Sequence, residues 1–175
     1  MTSSDIKIFL PVFMLLFMVV FLVWNYTFRK RIQKKQEYYL MPFTRINQFF
    51  QVMLVLAAVI VGLYAFFPEY YLLLIPIDSL DRPLINDLGG FILRIAFFWL
   101  VSSMIHTYLL FRNLQKENSK KPVEVYAYAQ KIVLVSIALL LVGLAITISS
   151  VGAFLLSLVG LFYYHQVFRP AESSN

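Results

Sequence analysis

The chain alternates long apolar runs with short polar connections, and that pattern predicts a bundle of membrane-spanning helices. Four runs stand out: Ile8–Tyr26, Phe49–Phe67, Leu88–Phe111 and Ile132–Tyr163. The last is 32 residues without a charge. As one helix it would be about 48 Å long at 1.5 Å per residue, whereas the hydrocarbon core is about 30 Å thick. It must therefore tilt or kink strongly, or fold back on itself. Its least apolar point is Thr147-Ile148-Ser149-Ser150-Val151-Gly152. Extended into its flanks, the run divides into 125–146 and 151–168, each long enough to span. A turn near Ser149-Ser150 brings Tyr126 and Tyr128 to the same level as Tyr163, Tyr164 and His165, as an interfacial aromatic belt requires. The reading is all-α: a single domain over 1–175, a polytopic transmembrane bundle of five helices at about 8–27, 48–67, 88–111, 125–146 and 151–168. Helices four and five form a tight hairpin. One long tilted helix over the last run gives a four-helix alternative.

Local signals refine the boundaries. Pro11 lies in the first turns of the first run, where proline costs least, and Pro68 ends the second. Asn86 and Asp87 are candidate caps for the third. Between the second and third runs, Tyr70-Tyr71-Leu72-Leu73-Leu74-Ile75 is too apolar for a solvated loop and is expected to lie along the membrane surface. Gly143, Ala145, Gly152, Ala153, Ser157 and Gly160 allow close helix approach, with Gly152, Ser157 and Gly160 suggesting the tight face of the hairpin.

Composition agrees with this class and charge orients it. The 175 residues are 61% hydrophobic and 14% charged, against about 25% charged in soluble domains. The net charge of +6 would suggest nucleic acid in a soluble protein. Here the basic residues flank the apolar runs, so lipid headgroups and topology explain them and no nucleic-acid partner is expected. Arg29, Lys30, Arg31, Lys34, Lys35 and Arg45 make one basic connection; Arg112, Lys116, Lys120, Lys121 and Lys131 make another. The connection between runs two and three carries Glu69, Asp78, Asp81 and Asp87 against Arg82. The basic connections are expected on the cytoplasmic side, the N-terminus outside and the C-terminus cytoplasmic, in a bacterial inner or a plasma membrane. A cleaved signal peptide is not expected, because no basic n-region precedes the first run and Phe28-Arg29-Lys30-Arg31 follows it. The absence of cysteine excludes disulfides, thiolate metal sites and a Cys nucleophile.

Candidate chemistry is sparse. Arg94 is the clear charge inside an apolar run, and Phe98, Ser102 and His106 follow it at steps of four on one slowly drifting face, a polar stripe that Ser103 and Thr107 are expected to widen. An intramembrane arginine either snorkels to headgroups, with Asp87 as a partner, or lines a substrate or ion path. His106 could carry a proton, ligate haem with His165, or bond backbone at the interface. Carboxylates are absent from the centres of the runs, and no nucleotide, zinc-hydrolase or nucleophile-elbow motif occurs, so no metal site is expected.

The layout resembles the isoprenylcysteine carboxyl methyltransferase-like membrane enzymes: a basic cytoplasmic connection, then a tight helical hairpin and a cytoplasmic tail. Leu88-Gly89-Gly90-Phe91 and Tyr126-Ala127-Tyr128 ahead of Val135-Ser136-Ile137-Ala138-Leu139-Leu140-Leu141-Val142-Gly143-Leu144-Ala145 are similar to stretches of that family, over roughly Phe49 to Glu172. The resemblance implies S-adenosylmethionine as cofactor, a lipophilic substrate and a cytoplasmic pocket at Tyr126, Gln130, Lys131 and His165. Where the family has an Arg-His-Pro set four residues after a tyrosine, this chain has Gln130-Lys131-Ile132, and a single Glu172 stands for its paired glutamate. Phe168-Arg169-Pro170 is similar to a motif after the pore helix of small-conductance mechanosensitive channels. The function expected from the residues is a non-catalytic subunit or scaffold acting through helix packing, membrane lipids and other membrane subunits. A divergent methyltransferase, a small channel or transporter, and a haem-binding bundle are the alternatives.

Overall fold

The computed structural model describes residues 3–32, 41–117 and 122–168. It consists of α1 (Ser3–Ile32), α2 (Met41–Phe66), α3 (Pro68–Tyr71), a 3₁₀ turn (Leu72–Leu74), α4 (Pro83–Glu117), α5 (Pro122–Ile148) and α6 (Val151–Phe168). Four helices are long and apolar enough to cross a membrane, at Asp5–Thr27, Arg45–Phe66, Pro83–Leu109 and Tyr128–Ile148, and α6 adds a shorter apolar helix. By length and composition this is a multi-pass integral membrane bundle.

Most helices outrun their apolar cores, because Lys, Arg, Glu and Gln propagate a helix as well as leucine does. The largest shift is in α4. It starts at Pro83, a residue pre-organised for the first helical position, so Asn86 and Asp87 are not its caps. Asn86 instead sits in the first turn: its backbone N–H donates to Arg82 O (3.0 Å) and its Nδ2 to Asp81 Oδ1 (2.9 Å).

The long charge-free run is two helices. α5 ends at Ile148 and α6 begins at Val151. Ser149 takes the left-handed region at φ 51°, uncommon for a non-glycine residue, and its Oγ donates to Ile146 O at 2.8 Å. The turn is held from outside by the connection between α2 and α4. Pro76 and Ser150 form an antiparallel bridge, with Ile77 N–H donating to Ser149 O (2.8 Å) and Val151 N–H to Ile75 O (3.0 Å). Tyr71 Oη donates to Ile148 O at 2.6 Å, and a Cβ on Gly152 would lie 3.0 Å from Leu74 Cδ2. The apolar segment expected along the surface thus forms α3 and the 3₁₀ turn, leaves Tyr70, Leu72, Leu73 and Ile75 exposed, and docks its backbone on the hairpin. The acidic connection and the hairpin turn share one end of the bundle. The two basic connections flank the opposite helix ends.

Val151→Pro isolates that docking. Proline at the first position of α6 suits the helix, and Ser150 is already extended in the bridge. The substitution removes the N–H that Ile75 O accepts, at a cost of about 1–3 kcal/mol. Protease cleavage within 67–82 should accelerate while the helix content by circular dichroism stays constant.

Tyr71 makes the same contact pH-dependent. Burial, then Tyr64, Asp81 and Asp78, push its phenol up to about 12 from 10.0. In the unfolded chain the proton leaves near the ordinary value of about 10. The contribution to stability is therefore intact below pH 10 and is lost as pH rises towards 12. Tyrosinate absorbance should show a late-titrating phenol that disappears in Tyr71→Phe, together with its share of the alkaline loss of stability.

α5 is the central helix: 67% of its span is buried, against 28–33% of the other three. It packs along most of α4, folds against α6 and touches α2. A helix apolar on every side is one that other helices surround, and Val133, Leu134, Ile137, Leu140, Leu141 and Leu144 are all enclosed. The closest approach is between α4 and α5. A Cβ on Gly89 would overlap Thr147 Oγ1 and lie 2.7 Å from Thr147 N and 3.0 Å from Gly143 O, and one on Gly143 would lie 2.9 Å from Leu93 Cδ2. Gly160 serves the hairpin as the small-residue pattern suggests, facing Leu141 and Met53, whereas Gly152, expected on the same tight face, meets Leu74 of the 3₁₀ turn instead of α5. Ring contacts complete the bundle, with Phe13 edge-on to Phe97 (6.0 Å) between α1 and α4 and Phe49 stacked on Tyr163 (3.8 Å) between α2 and α6.

Candidate functional site

Arg94, Ser102 and His106 share the exposed face of α4. The opposite face, through Gly89, Leu93, Ala96, Leu100, Ser103 and Thr107, is buried. Arg94 has its guanidinium carbon 5.9 Å from the centre of the Phe9 ring on α1, within cation–π range. Its depth follows from the α4–α5 register. Gly143 abuts Leu93, and seven residues separate Gly143 from Ser150 at the turn, about 10 Å along the helix. His106 lies near the other end of the span and Ser102 between them.

Of the four residues expected around a pocket at the basic end, the three whose side chains are described divide between two faces. Gln130 is 3% exposed and turned into the bundle, whereas Lys131 is exposed and its carbonyl accepts from Tyr164 Oη at 3.5 Å. His165, next to Tyr164 on α6, is exposed as well. Tyr126 lies in α5, and its side chain is outside the described residues; so are Arg169, Pro170 and Glu172. The structure brings Lys131 and the Tyr164–His165 pair to one region and sets Gln130 apart from them. His106 and His165, the pair considered for haem, are both exposed on separate helices. Among the described residues, no three His, Asp or Glu side chains gather into a metal-binding set.

The buried hydroxyls of the spans are turned back on their own helices. Ser103 Oγ donates to Trp99 O, Thr107 Oγ1 to Ser103 O (2.6 Å), Ser136 Oγ to Val133 O and Thr147 Oγ1 to Gly143 O (2.7 Å). Each satisfies its donor locally, the usual solution for Ser and Thr inside a helix. A side-chain bond joins α4 to α5 directly: Trp99 Nε1 donates to Ile132 O at 3.0 Å.

A buried polar layer escapes a reading of the sequence for reactive groups. Asn25 on α1, Asn47 on α2, Thr107 on α4 and Gln130 on α5 are each buried, and each lies two residues from the basic end of its span. Asn25, 7% exposed, has no hydrogen-bond partner for Nδ2. The available signal was positional: an amide within the last turn of an apolar run, as in Trp24-Asn25-Tyr26, on more than one helix. No protein family, curated protein or solved structure gives a match to this chain, so its chemistry is read from these residues alone.

Proposed function

We propose that this protein is a non-catalytic membrane subunit or scaffold, acting through helix packing and contacts with lipid and with other membrane helices. The observation that carries the reading is the closure of the buried hydroxyls of its spans. Ser103, Thr107, Ser136 and Thr147 spend their donors on their own helices. A catalytic site needs the reverse, with a nucleophile, a base and an orienting group converging on one point. The candidates for such roles, Arg94, Ser102, His106, Lys131 and His165, lie outward, where lipid or a partner would meet them. The basic ends are read as cytoplasmic, from the preference of Lys and Arg for that side.

Calorimetry on the detergent-solubilised protein tests this reading against the methyltransferase-like one. S-adenosylmethionine at millimolar concentration should give no binding heat, and the purified protein no Soret band. Saturable cofactor binding, or transfer of a labelled methyl group to the carboxylate of a prenylated cysteine, would replace the scaffold with an enzyme.

A further inference from the structure

We infer that the exposed face of α4 is the docking surface for a transmembrane helix of another protein, one carrying a carboxylate at the depth of Arg94. The inference rests on the scaffold reading above and names the surface it uses and the chemistry of its partner.

The molecule supplies its own comparison. The exposed seam of α1 runs Ile8, Val12, Leu15, Val19, Leu22, and that of α2 runs Val52, Val55, Val59. Both are apolar through the middle of the span, as a surface against acyl chains should be, with polar positions only at their ends, Asp5 on α1 and Arg45 and Gln48 on α2 among them. α4 has an exposed seam of the same spacing: Leu84, Leu88, Phe91, Ile95, Phe98, Ser102, Ile105 and Leu109, with steps of four and three. Such spacing suits a helix crossing at a shallow angle. Of these three seams, that of α4 alone carries polar groups away from the ends of the span, Arg94 beside Ile95 and Ser102 within it, and His106 beside Ile105 follows near the basic end. Phe98, at its centre, is 72% exposed and offers a large apolar anchor.

Ionisable groups inside a span face protein or a water-filled cavity far more often than lipid, and pair with an opposite charge. Arg94 could reach upward to headgroups, since side chains on a helix lean towards its N-terminus. That route does nothing for Ser102, two turns deeper. A partner helix accounts for all three positions, with a carboxylate on Arg94, an acceptor or donor at Ser102, and a polar terminus at His106. A second copy of this chain is a poor occupant. Two copies in one membrane run parallel, so a symmetric contact through this face would set Arg94 against Arg94. Nor does the chain hold a carboxylate at that depth on its other exposed faces: Asp5 and Asp87 lie nearer the acidic end.

The test uses the full chain, whose lack of cysteine allows a single label at Ser79→Cys in the acidic connection. Reconstituted in neutral phosphatidylcholine vesicles, it is titrated with acceptor-labelled synthetic leucine helices. These carry Glu, Gln or Leu at the depth of Arg94. Energy transfer should show the Glu helix associating about tenfold more strongly than the Leu helix, the size that polar contacts between membrane helices reach. Arg94→Gln should abolish the difference, and Phe98→Ala should weaken association with every helix. Arg94 and Phe98 are exposed, so both variants should retain native circular dichroism. Equal association of the Glu and Leu helices, or an Arg94→Gln protein indistinguishable from wild type, would overturn the inference and return Arg94 to the headgroups. So would a Phe98→Cys disulfide between two copies, which would make a second copy the occupant. None of these outcomes touches the scaffold reading, which fails only through cofactor binding or turnover.

Discussion

Gly89→Ala should destabilise the bundle by about 2–3 kcal/mol, the upper part of the usual range for overpacking a close contact. The added methyl group would meet Thr147 Oγ1, but also Thr147 N at 2.7 Å and Gly143 O at 3.0 Å, and backbone atoms cannot rotate away. Relief requires α4 and α5 to separate, and that loosens Leu93 against Gly143 one turn further along. The neighbouring residue is the control. Nothing lies within 4 Å of a Cβ on Gly90, so Gly90→Ala should be neutral or gain up to about 1 kcal/mol from the better helix propensity of alanine. Gly62→Ala should behave like Gly90→Ala, because its surroundings are open too. Gly160→Ala should fall between, because it meets Leu141 Cδ1 and Met53 Cε, the ends of flexible side chains. Thr147→Ala should rescue Gly89→Ala only in part, because the backbone contacts remain. Thermal unfolding in detergent, followed by circular dichroism, ranks the series. A Gly89→Ala protein as stable as Gly90→Ala would mean that the α4–α5 contact is not the tight one.

That contact shows where sequence and structure part company. Helix number and the hairpin were legible, because they follow from length against bilayer thickness and from the dip in hydropathy at Ser149-Ser150. The central place of α5 was implicit in the same run, which is apolar on every side. Which helix the small residues serve was not legible: Gly143 allows approach of α4, whereas Gly160 allows approach within the hairpin, and spacing alone does not tell them apart. Nor was the docking of the acidic connection, since Ile77 N to Ser149 O and Val151 N to Ile75 O are backbone bonds with no side-chain signature. The Asn86 and Asp87 boundary failed for a related reason. Hydropathy marks where a helix enters lipid, while Pro83 marks where it begins. For the site, Arg94, Ser102 and His106 lie on the exposed side of α4, whereas Ser103 and Thr107, expected to widen that stripe, lie on the buried face. Whether that stripe faced the bundle or the outside depended on the buried face through Gly89, Leu93, Ala96, Leu100 and Ser103, and so on α5.

A reporter fused after Asn175 should be active on the same side of the membrane as one inserted at 118–121, and a reporter at Ser79 should be active on the opposite side. The hairpin returns the chain to the end where α5 began. The bridge between Pro76 and Ser150 fixes the acidic connection to the far end. The absolute sides follow from charge. The connections around Arg29–Arg45 and Arg112–Lys131 hold most of the 15 basic residues, and basic segments next to spans stay cytoplasmic. A fluorescent protein that matures only in the cytoplasm should therefore light up after Asn175 and at 118–121 and stay dark at Ser79. A phosphatase active only outside should give the complement. The result also assigns the polar features to a compartment. Asn25, Asn47, Thr107 and Gln130 would lie just beneath the cytoplasmic surface, and Arg94 about 10 Å below the outer turn. If the reporter after Asn175 were instead active outside, the long run would cross the membrane once, either as one unbroken helix without the Pro76–Ser150 bridge or with α6 lying along the outer surface. The four-helix alternative would then hold.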